Sequence, residues 1–138
     1  MCEAYFNHLC KAADRNDVKA VSAGTNAMNG LEASFPAVEV MKEHNIDISD
    51  FQSSPLTHEL IDSSDLIIAL TSSHRDQIKN IKTASGTPLH LLLDFSDIPG
   101  RSVSDPFGGT VDIYRECFNQ MKQALENLFL QIDDFVNN

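Results

Sequence analysis

The run Leu66-Ile67-Ile68-Ala69-Leu70 is apolar at every position and has the length of a strand. A strand with one solvated face alternates polar with apolar residues, so unbroken apolarity points to a strand covered on both faces, as in a parallel sheet. Leu89-His90-Leu91-Leu92-Leu93 is nearly a second such run, interrupted only by His90. Between the two, Ser72 or Ser73 opens a helical stretch that continues to Ile81. Strand, helix, strand is the unit that joins neighbouring parallel strands.

The same grammar extends outward. Upstream, residues 18–22 are short and rich in β-branched side chains, and Ala23-Gly24-Thr25 punctuates their end. A third parallel strand is expected there, followed by a loop with Asn26, Asn29 and Gly30. Before it, Tyr5, Leu9 and Ala12, with Phe6, Cys10 and Ala13, repeat at helical spacing across residues 2–15. Ser34 is placed to cap a further helix with Pro36 in its first turn, running to about His44-Asn45, and Thr57 to start a short helical turn that stops before Asp65. Downstream, Tyr114, Phe118, Met121, Leu125 and Leu128 step by 4, 3, 4 and 3, which predicts one long amphipathic helix from Thr110 to about Asp134. The expected fold class is α/β, three-layer, with a parallel sheet flanked by helices, in a single domain over residues 1–138.

Composition narrows the function. Ten Lys and Arg stand against twenty Asp and Glu, a net charge of −10, and no basic run occurs. Nucleic-acid and membrane partners are therefore not expected, since both rely on positive charge. No apolar stretch approaches the roughly 20 residues of a membrane span, and a cytoplasmic protein is expected. Cys2, Cys10 and Cys117 make an odd, scattered set that reads as free thiols. The histidines at 8, 44, 58, 74 and 90 fall on separate predicted elements, so neither a metal nor another cofactor is expected.

Ser104-Asp105-Pro106-Phe107-Gly108-Gly109 puts a carboxylate in a turn beyond the second apolar run, and sites in open α/β sheets form at the carboxyl ends of strands. On its own, Asp-Pro followed by two glycines also describes an ordinary turn. With Val21-Ser22-Ala23-Gly24-Thr25 after a strand, and Ile67-Ile68-Ala69-Leu70-Thr71 with His74-Arg75 just beyond, the chain resembles the low-molecular-weight protein tyrosine phosphatase family from residue 1 to about 133. The resemblance implies the phosphotyrosine phosphatase I-like fold and Asp105 as the catalytic general acid. It further implies that Ser22 braces the phosphate loop, and it places Phe107 with Ser22 among the binding residues. The implied partner is a phosphotyrosine-like phosphomonoester or phosphoprotein.

One feature of that family is missing. Its nucleophile lies in a Cys-x5-Arg loop between the first strand and first helix, where amides and Arg cradle phosphate and lower the thiol pKa. Six residues beyond Cys2, Cys10 and Cys117 stand His8, Asn16 and Gln123, so no such pair exists. Cys10 and Arg15 are one residue short, and five helical steps of about 100° leave them diverging by about 140°. In the family, the loop commonly ends in Met before Ala-Glu-Ala, and this chain reads Met1-Cys2-Glu3-Ala4. The expectation is thus a chain truncated by a central first strand and its loop, on the order of 15 residues, and hence catalytically incomplete. Phe51 stands where relatives often carry His. Loss of a central strand would expose a sheet edge, through which self-association is expected, or leave a groove beside residues 18–22.

Three readings follow. The first is a tyrosine phosphatase, hydrolysing phosphomonoesters through a phosphocysteine, that is inactive as these residues stand. The second is a non-catalytic interaction module, a pseudophosphatase. The third is an arsenate reductase-like protein, disfavoured because Ala69-Leu70-Thr71-Ser72 contains no redox cysteine pair.

Overall fold

The computed structural model describes residues 1–25, 30–81 and 86–136. Its centre is the predicted parallel pair, β1 (Ile67–Ala69) and β2 (Leu89–Leu91), with Ile67 opposite Leu89 and Ala69 opposite Leu91. The chain between them forms helix α4 (Ser72–Ile81). Both faces of the sheet are covered, as continuous apolarity requires. On one face Ala69 and Leu91 pack with Ile78 of α4 and with Ile61 of α3 (His58–Ser63). On the other, Leu92 and Leu93 join a larger core built by α1 (Cys2–Ala12), α2 (Phe35–Lys42) and α5 (Val111–Leu130).

β2 is shorter than its apolar run. The Asp94 carboxylate accepts the Leu91 amide at 3.2 Å and the Gly100 amide at 2.7 Å, and the chain closes into a 3-10 turn over Leu92–Phe95. Local side-chain hydrogen bonding of this kind offers main-chain groups an alternative to the ladder.

Helix ends follow their capping residues. Thr110 accepts the Ile113 amide at 3.3 Å and Thr57 the Leu60 amide at 3.1 Å, each satisfying a donor that a helix start leaves without a partner. Ser34 occupies the cap position of α2 in extended conformation, but its side chain forms no capping bond. The stripe from Tyr114 to Leu128 is buried, and wholly buried Phe118 meets the Tyr5 ring edge-on at 5.2 Å. α5 ends at Leu130 rather than near Asp134. A 3-10 turn over Ile132–Asp134 succeeds it, burying Ile132 and bringing Asp133 to Arg15 at 2.7 Å.

Residues 18–22 correct the sequence reading: they are not a strand, and the sheet of the described residues has two strands. Their main chain has no ladder partner, because α1 takes its place. Asn7 of α1 donates to the Ala20 carbonyl and accepts its amide, both at 2.8 Å. An open groove of about 610 Å³ separates this segment from β1. Of the expected loop residues, Asn26 and Asn29 lie outside the described residues.

Phe118→Ala should cost about 3–5 kcal/mol, as expected for a fully buried ring truncated in a packed core. Urea unfolding followed by far-UV circular dichroism measures it.

Candidate functional site

The loop bearing Asp105 is tied to the carboxyl end of β1. Val103 donates to the Leu70 carbonyl at 2.8 Å, and the Ser72 amide donates to the Ser102 hydroxyl at 2.9 Å. Asp105 itself is exposed, and its carboxylate accepts the Phe107 amide at 3.0 Å, an Asx turn that holds the acid at a fixed angle. The turn closes through Gly109, whose amide donates to the Pro106 carbonyl at 2.8 Å. Gly108 has φ +77°, and a Cβ on Gly109 would stand 2.8 Å from the Pro106 oxygen and 2.9 Å from Ile113. The glycine pair is therefore a steric requirement, one member for backbone sign and one for room. Phe107 projects from the turn at 88% exposure.

A second element near the same Cys117 side chain is the start of α1. Met1 occupies its cap position without a side-chain capping bond. Glu3 turns to half-buried Ser22, whose amide donates to the carboxylate at 2.7 Å. The Ser54 hydroxyl donates to the Ser22 carbonyl at 3.3 Å, and Gly24 bonds main chain to main chain with Ser54 and Leu56, each at 3.0 Å. Cys117 relates the two elements. Its thiol donates to the Ser104 carbonyl at 3.3 Å, and it experiences the charges of Asp105 and of the Met1 ammonium. Asp105 and the α1 start thus flank one region, while Ser22 lies behind the first turn of α1.

Burial disfavours the charged form of all three cysteines. Burial pushes the Cys2 thiol up to about 11, and burial likewise raises Cys10 and Cys117, the last helped by the negative charge of Asp105. A thiol acts as a nucleophile only as thiolate, and burial shifts all three away from that form. Among the described residues, no three His, Cys, Asp or Glu side chains gather as a metal site. No helix among them is long and apolar enough to cross a membrane.

Glu3 and Asn7 are the site residues that the sequence reading missed. They stand four apart on α1, hence on one face, and both point their polar ends at residues 20–22. Their spacing was a signal, but what they bind lies on another element.

The model of the family described as low molecular weight phosphotyrosine protein phosphatase matches residues 1–137. The protein-arginine-phosphatase of Bacillus subtilis (strain 168) is 33% identical over 132 residues, covering 96% of this chain and 87% of the relative. The low molecular weight protein-tyrosine-phosphatase PtpA of Staphylococcus saprophyticus is 32% identical, covering 93% and 81%. The crystal structure of a low molecular weight protein tyrosine phosphatase from T. tengcongensis superposes with a TM-score of 0.86 at 30% identity, covering 94% of this chain and 88% of that one.

Two outcomes test this geometry. Asn7→Ala leaves both main-chain groups of Ala20 without a partner and should cost about 1–3 kcal/mol in urea unfolding. With the Cys2 pKa at about 11, only on the order of one thiolate in a thousand exists at pH 8. Iodoacetamide labelling followed by mass spectrometry should therefore be slow at neutral pH and accelerate about tenfold per pH unit towards 11. Rapid labelling at pH 7 contradicts the assignment.

Proposed function

Because this chain belongs to the low molecular weight phosphotyrosine protein phosphatase family, we propose that it is the acid-bearing body of a protein phosphatase, with phosphotyrosine as substrate class. The observation that carries this reading is the Asp105 carboxylate, held by the Phe107 amide on the loop that Val103 ties to Leu70 just beyond the carboxyl end of β1. In phosphomonoester hydrolysis, an acid so placed protonates the leaving phenolic oxygen and then, as base, takes a proton from the water that attacks the phosphoenzyme. Ser22 braces the phosphate-binding wall through Glu3, and exposed Phe107 offers a ring to the substrate's own. A cytosolic location suits a chain of net charge −10.

These 138 residues hold Asp105 without a Cys-x5-Arg pair. The 138-residue polypeptide should hydrolyse p-nitrophenyl phosphate no faster than its Asp105→Ala variant. Turnover lost on Cys2→Ser or Cys10→Ser contradicts this. Fusing a Cys-x5-Arg phosphate loop ahead of Met1 should bring activity, and Asp105→Asn should then slow it by roughly 10²–10⁴, the usual loss of a general acid. An unchanged rate in that variant removes Asp105 from the chemistry and favours a non-catalytic interaction module.

A further inference from the structure

Three sulfur side chains meet where α1 packs on α5. The Cys2 thiol of α1 lies 3.1 Å from the thioether sulfur of Met121. Cys117 and Met121 stand four apart on α5, hence on one face in successive turns, and both are buried. Cys2 is also near enough to Cys117 for a negative charge there to raise its own thiol further. Two of the chain's three cysteines thus converge on one of its four methionines. Cys10 lies eight residues further along α1, a rise of about 12 Å.

We propose that Cys2, Cys117 and Met121 form a site for one soft monovalent cation, copper(I), held between α1 and α5 by two thiolates and a thioether. The site is separate from the phosphatase reading and does not depend on it. An all-sulfur donor set that includes a thioether selects copper(I) over harder ions, and no third His, Cys, Asp or Glu among the described residues joins the two cysteines to complete a zinc site. Buried thiolates repel one another and lose hydration, and a cation between them reverses both costs, so a coordinating thiol gives up its proton. Binding breaks two S–H bonds, forms two copper–thiolate bonds and one dative thioether bond, and hands two protons to solvent, with no electron moved. The Cys117 thiol gives up its hydrogen bond to the Ser104 carbonyl. Three coplanar sulfurs at about 2.3 Å from one ion stand about 4.0 Å apart, so binding widens the 3.1 Å contact by about 1 Å, a movement that the flexible Met121 side chain takes up.

The probe is copper(I) itself, titrated anaerobically into the 138-residue protein against the chromophoric chelator bathocuproine disulfonate. One ion per chain is expected, with a rise in Tm because the native state is the one that binds. Release of two protons should make affinity rise about a hundredfold per pH unit below the thiol pKa values. Copper-edge X-ray absorption on the unmutated protein should show sulfur neighbours alone, at about 2.3 Å. Cys2→Ser and Cys117→Ser should each weaken binding at least a hundredfold, and Met121→Leu, which conserves volume, about tenfold. Cys10→Ser should leave it unchanged. Nitrogen or oxygen neighbours at copper overturn the proposal, as do a fall in Tm on binding, equal affinity in Cys2→Ser or Cys117→Ser, loss of binding in Cys10→Ser, and no uptake at all.

Discussion

Phe118 is the contact on which the rest of the arrangement depends. It is wholly buried, with the Tyr5 ring edge-on at 5.2 Å and the His44 ring at 4.7 Å, so it binds α5 to α1 and to the end of α2 at one point. Tyr5 is further fixed by donating its hydroxyl to Glu126 of α5 at 2.9 Å. With α1 set against α5, Glu3 and Asn7 one helical face away arrive opposite residues 20–22 and take up their main-chain groups. Packing in the core thus decides where a surface segment runs.

The same helix pair sets the electrostatics of the site. Cys2 leads α1 and its thiol rests against the sulfur of Met121 on α5. Cys117, on α5, bonds to the Ser104 carbonyl just before the acid. Burial disfavours a thiolate at both, while the Asp105 carboxylate is exposed to solvent.

A two-stranded sheet is a small core for two layers of helices. The described structure compensates with apolar clusters on both faces and by replacing a ladder with side-chain bonds along residues 18–22. Those bonds satisfy one edge of the segment, and its other edge lines the groove.

Local chemistry made much of this legible. Continuous apolarity at residues 66–70 specified a doubly covered parallel strand, the 4, 3, 4, 3 stripe specified the buried face of α5, and Asp-Pro-Phe-Gly-Gly specified the turn that carries Asp105. Each depends on neighbours a few residues apart, which is the range over which a sequence constrains its own backbone. The termination of β2 at Leu91 by Asp94 was also local, but it competed with an apolar run that continued to Leu93. By contrast, β-branched residues at 18–22 describe an extended chain without saying what it pairs with, and a strand exists only if a partner edge is present. Only the tertiary structure decided that Asn7 and Glu3 would fill that role, because a hydrogen bond between residues thirteen or nineteen apart depends on where the core has carried both ends.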